Sequence, residues 1–175
     1  MDDEIINEDL SIMDERLNKS KVLDSKTFLK PVKDLKPATP IMVDIEDTLE
    51  DALKFMQVKQ FGCILITKGD VLAGILTERD VIAKAIGHDD FQSMKVKDIM
   101  TPRPEAFQLE DEIAYVVKAM CFGGYRHVPI VNSKNEPVGM LSVKDIMRFI
   151  VDHFPEEIMN LPPNPIRKSN EFEGG

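Results

Sequence analysis

The segment Val32-Lys33-Asp34-Leu35 returns as Val96-Lys97-Asp98-Ile99, 64 positions later (98 − 34 = 64). At that offset Pro40 falls on Pro104, Glu46-Asp47 on Glu110-Asp111, Lys54 on Lys118 and Met56 on Met120. One extra residue in the second copy's turn lengthens the offset to 65. Gly74 then meets Gly139, Leu76 meets Leu141, Thr77 meets Ser142 and Asp80 meets Asp145. An internal repeat constrains a chain more than any local propensity, because each copy must fold alike and the copies must bury their apolar faces together. Two copies make a pseudo-symmetric pair rather than a solenoid.

Each copy carries the same order of signals. Acidic residues precede a stripe at helical spacing, Glu46-Asp47-Thr48 before Leu49, Ala52, Leu53 and Met56, and Glu110-Asp111-Glu112 before Ile113, Val116, Val117 and Met120. Carboxylates there complement the positive end of a helix. A glycine break follows, Phe61-Gly62 or Gly123-Gly124. Then come two short apolar runs across a polar turn, which predict a hairpin: Ile64-Leu65-Ile66 and Leu72 to Leu76, then Val128 to Val131 and Val138 to Leu141. Thr77 and Ser142 supply the hydroxyls that open a further helix. The pattern predicts an α/β (α+β) chain of two β-α-β-β-α repeats, residues 31–90 and 91–160.

The ends differ. Ile6, Leu10, Met13 and Leu17 have helical spacing, so residues 1–30 are expected to form an amphipathic helical extension that docks on the repeats or on a partner. Residues 161–175, with Pro162-Pro163-Asn164-Pro165 and a terminal Gly-Gly, are expected to be a disordered tail.

Composition narrows the function. The chain of 175 residues has a formal net charge of −9, so it has no general attraction for a phosphate backbone, and nucleic-acid binding is not expected. An anionic ligand must be held by local basic groups, backbone amides or helix N-termini. No run of about 18 apolar residues occurs, and Met-Asp-Asp-Glu opens the chain without a basic, then apolar, leader. A cytoplasmic protein without a membrane span is expected. Cys63 and Cys121 are far apart in apolar surroundings and are expected to be two buried thiols. His88 and His153 form no ligand cluster with His127. No nucleophile-base arrangement and no glycine-rich phosphate loop is present.

The repeated Gly-Ile-Leu-Thr77-Glu-Arg-Asp80 and Gly-Met-Leu-Ser142-Val-Lys-Asp145, with Asp98-Ile99-Met100-Thr101-Pro102 and Tyr125-Arg126-His127-Val128-Pro129-Ile130-Val131, resemble the CBS domain, named after cystathionine β-synthase. The resemblance covers roughly residues 31 to 154. It implies a CBS pair, or Bateman module, with two clefts between the repeats that commonly take AMP, ADP, ATP or another adenosyl compound. Some relatives carry such a pair inside an enzyme such as inosine monophosphate dehydrogenase, for whose barrel this chain has no room.

Individual residues gain roles from that resemblance and from their chemistry. Asp80 and Asp145 each stand three residues after a hydroxyl, in a first helical turn. A carboxylate there accepts hydrogen bonds from vicinal ribose hydroxyls, or closes a capping box with Thr77 or Ser142. One cleft would use Lys36, Thr39 and Ile41 with Arg126, His127, Ser142, Lys144 and Asp145. Arginine's planar fork matches phosphate oxygens, and Ile41 would pack on the purine. The second would use Thr77, Arg79, Asp80 and Arg103, with Glu105 where the family places an apolar residue. The Ser142/Asp145 cleft is therefore expected to be the better phosphate site.

The expected function is a regulatory, non-enzymatic ligand-sensing module without a required cofactor, whose nucleotide brings magnesium as a candidate companion. The resemblance also implies a homodimer. The alternative is a nucleotide-independent module that binds and regulates a partner enzyme or transporter.

Overall fold

The computed structural model describes residues 25–59, 61–91 and 93–153. The expected N-terminal helix lies outside the described residues except for Ser25–Leu29, a 3₁₀ turn, and so does the proline-rich tail. The chain divides into two compact units. Residues Asp24–Met147 form one, and they hold both sheets; of the other, residues 148–153 are described. Within the latter, the Nδ1 of His153 is 2.7 Å from the carbonyl of Phe149, and the two rings meet tilted by 58° with their centroids 4.6 Å apart.

In the larger unit the turn Ser25–Leu29 is followed by a second 3₁₀ turn, Val32–Leu35, and by strand β1, Met42–Asp44. Helix α1, Leu49–Lys59, buries Leu49, Ala52 and Met56, which recur at intervals of three and four as a one-sided helix requires. Its start is fixed by Thr48, whose Oγ1 accepts from the amide of Asp51 and donates to the Asp51 carboxylate. Strand β2, Cys63–Lys68, is buried over five successive residues, as suits a strand covered on both faces. It turns at Gly69 (φ +61°) into β3, Val71–Thr77. Helix α2, Glu78–Lys84, and the short α3, Val96–Ile99, follow. Strand β4 is Thr101–Pro102. Helix α4, Ile113–Gly123, ends on Gly124 at φ 70°, the left-handed conformation that closes helices. Strands β5, His127–Val131, and β6, Pro137–Ser142, lead into α5, Val143–Val151.

The first sheet has the order β1-β2-β3-β4, with β1 parallel to β2 and the other pairs antiparallel. The second has β5 and β6 as full strands, with its outer positions reduced to single bridges. Phe107 bridges Ile130 in parallel, where Val43 pairs Ile66 in the first repeat. Ala38 bridges Met140, at the place where Pro102 pairs Gly74 and one residue off in register. The segment leading into each repeat therefore crosses to the second hairpin strand of the other repeat. This exchange makes the two repeats one body and opens a cleft at each crossing.

The register confirms the repeat residue by residue. Cys63 pairs Thr77 and His127 pairs Ser142, and the register shifts between Ile66 and Thr67 and again between Ile130 and Val131. Beyond that shift lies the turn with the extra residue. The core under the first sheet joins Val43, Leu49, Ala52, Met56, Ile64, Ile66, Leu76 and Val81 with Val96 and Ile99.

One expectation fails. Cys63 is buried, but Cys121 is exposed. Helix α4 is apolar over most of its circumference, and the chain buries the stripe Ile113, Val116, Ala119 and Met120. Cys121 stands one residue past Met120, about 100° further round the helix, and turns outward.

Candidate functional site

Two clefts lie within the larger unit. The first, of about 260 Å³, is lined by Ile75, Thr77, Arg79 and Asp80 from β3 and α2, and by Thr101, Arg103, Pro104 and Glu105 from the segment leading into the second repeat. The second, of about 420 Å³, is lined by Met140, Ser142, Val143, Lys144 and Asp145 from β6 and α5, and by Ala38, Thr39, Pro40 and Ile41 from the segment leading into the first repeat. Gly62, Arg126 and His127 border both. Such volumes suit a ligand of nucleoside to mononucleotide size.

The site residues nominated from sequence converge, with one exception. Lys36 lies outside both linings; it closes the Val32–Leu35 turn in a left-handed conformation (φ 52°) and is exposed. Thr39, Ile41, Ser142, Lys144 and Asp145 share the larger cleft, and Thr77, Arg79, Asp80 and Arg103 the smaller. Arg126 and His127, expected on the Ser142 side, border both clefts, while Glu105 lines the smaller one as expected. The smaller cleft has three arginines against the carboxylates of Asp80 and Glu105; the larger has Arg126 and Lys144 against Asp145. Each is locally cationic in a chain whose formal charge is −9.

Asp80 is heavily engaged. Its Oδ2 accepts the Thr77 amide at 3.0 Å and the Thr77 hydroxyl at 2.6 Å, while its own amide donates to Thr77 Oγ1 at 3.2 Å. This is a reciprocal capping box. Its Oδ1 accepts Lys84 Nζ at 2.7 Å and Thr101 Oγ1 at 3.1 Å. Burial pushes the carboxyl up, but the bonds from Lys84 and Thr77 outweigh it and hold the group below its ordinary range. In the other repeat, Oδ2 of Asp145 accepts the Ser142 amide at 2.8 Å and hydroxyl at 2.6 Å. Phe149 follows four residues after Asp145, where Lys84 follows Asp80.

His127 sits half-buried at the start of β5. Burial and the neighbouring Arg126 hold its imidazole below 6.5, against the opposite pull of Asp145 and Glu78. It is therefore neutral near pH 7 and presents one donor and one acceptor. Burial pushes the Cys63 thiol up to about 12, with Glu78 adding to the effect, so it is an inert thiol facing the cleft. Arg103 holds φ +46°, a conformation that non-glycine residues adopt at a cost. Its amide donates to Ala73 at 3.0 Å, and this bond keeps the crossing segment on β3.

Sequence reasoning missed two aromatic residues. Phe61 lines the larger cleft and Tyr125 the smaller. They stand 64 positions apart, so the repeat itself held the signal: an aromatic ring at the same place in both copies. Among the described residues, no cluster of three His, Cys, Asp or Glu side chains is placed to hold a metal ion. No helix among the described residues is long and apolar enough to cross a membrane.

Two interlocked β-α-β-β-α repeats with a cleft at each crossing define a tandem-repeat module. The CBS domain model matches residues 32–87 and 96–152, and the chain belongs to that family. The CBS domain-containing protein CBSX3, mitochondrial, of Arabidopsis thaliana is 33% identical over 122 residues; the match covers 66% of this chain and 59%, less than two thirds, of that protein. Among solved structures, the CBS domain protein NE2398 superposes with a TM-score of 0.65 at 27% identity, over 70% of this chain and 98% of its own. The CBS domain pair of MJ0100, in complex with 5′-methylthioadenosine and S-adenosyl-L-methionine, gives a TM-score of 0.62 at 24% identity, over 71% of this chain and 98% of its own.

Proposed function

We propose that this chain is a regulatory ligand-sensing module that binds an adenine nucleotide (AMP, ADP or ATP) or another adenosyl compound between its repeats. The observation that carries the reading is the composition of the larger cleft. Ile41 and Phe61 offer apolar surface for a purine, Thr39 and Asp145 polar groups for a ribose, and Lys144 and Arg126 positive charge for phosphate. Ser142 adds a hydroxyl beside the first turn of α5. The ligands held by MJ0100, which shares the fold, are adenosyl compounds, and this supports the same ligand class here. Magnesium would arrive on the phosphates of ADP or ATP, held by no residues of its own. The module senses its ligand and does not turn it over, acts in the cytoplasm, and pairs with a second copy through apolar residues on its outer helices. Ile82 and Met147, equivalent in the two repeats, are both exposed, as are the equivalent Val58 and Phe122.

Thermal shift of the purified chain against AMP, ADP, ATP, adenosine, S-adenosylmethionine and GTP, each with and without magnesium, tests the proposal. A ligand bound only by the native state adds about 2.7 kcal/mol at a hundredfold excess over its dissociation constant. Stabilisation by an adenine ligand and not by GTP, lost in Asp145→Ala, is the expected result. A flat response to every ligand overturns it and favours the second reading, a nucleotide-independent module that regulates a partner enzyme or transporter. One observation supports that alternative: Phe28, Val117, Cys121 and Phe122 border a groove with an almost wholly apolar lining.

A further inference from the structure

Pseudo-symmetry would give each cleft its own copy of every contact, and at the boundary the two clefts share it does not. Position 126 is arginine and position 127 histidine; their equivalents, 64 positions earlier, are Gly62 and Cys63. The register fixes this equivalence, since His127 pairs Ser142 as Cys63 pairs Thr77. Gly62 borders both clefts, as Arg126 does, so the missing side chain falls at the shared boundary. Two clefts therefore divide one Arg126.

Resting on the adenine-nucleotide reading, we propose that the two clefts compete for Arg126, so that each chain holds one phosphorylated nucleotide tightly and its other cleft prefers an adenosyl compound without phosphate. A guanidinium can clamp one phosphate with its planar fork, but it cannot turn that fork to two phosphates on opposite sides at once. A second phosphate would have to do without Arg126, which leaves it Arg79 and Arg103, set against Asp80 and Glu105, in the smaller cleft, or Lys144 in the larger. An uncharged nucleoside pays neither cost. Coupling between sites is reciprocal, so whichever cleft takes the first phosphate weakens the other for a second. Glu78 deepens the asymmetry. Its carboxylate acts on both His127 and Cys63, and Val143 takes its place in the other repeat.

The missing arginine can be supplied. A Cβ added at Gly62 would approach nothing nearer than 3.4 Å, and that neighbour is the Glu78 carboxylate, the end of a flexible side chain. The double variant Gly62→Arg/Glu78→Val restores the symmetry and removes the carboxylate that would otherwise capture the new guanidinium.

Isothermal titration of the full chain with AMP, and with 5′-methylthioadenosine as the phosphate-free probe, decides the matter. The native chain should bind one AMP tightly and a second at least roughly tenfold more weakly, while 5′-methylthioadenosine fills the remaining cleft of the AMP-loaded chain undiminished. Arg126→Ala should weaken the first AMP and bring the two AMP affinities together. Gly62→Arg/Glu78→Val should strengthen the second AMP instead. Two AMP molecules bound equally by the native chain, or an affinity gap that persists in Arg126→Ala, would overturn the competition and leave the nucleotide reading standing. No binding of either probe would overturn both.

Discussion

Asp80 serves two masters, the helix it caps and the cleft it borders, and its hydrogen bonds show the balance. Thr77 and Asp80 close the start of α2; the other carboxylate oxygen accepts from Lys84 on the same helix and from Thr101 on the crossing segment. Asp80→Ala is expected to lower stability by about 1–2 kcal/mol, the usual cost of a lost cap. Lys84→Met keeps the cap and removes a half-exposed ion pair, which should cost under about 1 kcal/mol. Urea denaturation of the two variants measures the order. The sign of the pH dependence follows from the same carboxyl. Its native affinity for protons is held below the ordinary 3.8, so the stability it contributes is complete above that value and is lost as pH falls through the lower native value.

His127 behaves in its own way, since its native state prefers the neutral ring. Below 6.5 the unfolded chain takes the proton first, so stability falls with pH there. A phosphate held beside the ring favours the charged form, so an AMP-loaded chain takes up a proton. AMP affinity should therefore rise as pH drops from 7.5 toward 6, by no more than about tenfold per pH unit for one coupled proton. The trend should vanish in His127→Gln. A flat profile in the native chain would place the phosphate away from His127.

At the scale of elements, the crossings hold the repeats together, and two glycines let them approach. A Cβ at Gly139 would sit 2.8 Å from Cβ of Pro37, a carbon in a rigid ring. At Gly74 the closest atom is the sulfur of Met100, the far end of a flexible side chain. Gly139→Ala should therefore destabilise more than Gly74→Ala, by about 1–3 kcal/mol against a smaller loss. The melting temperatures of both variants test this, and it should widen the larger cleft enough to weaken its ligand.

This interlocking was only half legible in the sequence. The paired glycines, hydroxyls and carboxylates at offsets 64 and 65 disclosed the repeat, the hairpins and the helix starts, because those depend on neighbours within a few residues. The exchange of lead-in segments depends on pairing between distant segments, and no spacing rule reports it. For the same reason Arg126 and His127 were assigned to one cleft when they border two. Phe61 and Tyr125 were legible through the offset and were passed over because each resembles ordinary apolar filler. Cys121 was misread because an apolar helix does not announce which side it will bury. Lys36 has its place in the cleft only through the family pattern; it is exposed at the end of the Val32–Leu35 turn and is not part of either lining.

At the scale of the molecule, charge and apolar surface pull in opposite directions. Each chain carries a formal charge of −9, so two chains repel at a distance. Ile82 on α2 is 66% exposed, Ile86 just past the end of α2 64% and Met147 on α5 55%, where a monomer gains nothing from leaving them in water. An apolar interface is insensitive to salt, whereas the repulsion between like-charged chains decays over about 10 Å at 0.1 M ionic strength and about 3 Å at 1 M. If the proposed dimer forms on these faces, raising salt from about 20 mM to 500 mM should tighten it, the reverse of what an ion-paired interface would do. Light scattering across that range reads the mass directly. Ile82→Glu/Met147→Glu places new charge at equivalent points of both repeats and should leave a monomer at every salt concentration. Because those side chains lie outside both clefts, the variant should still bind AMP, so assembly and ligand capture would separate as two properties of one fold.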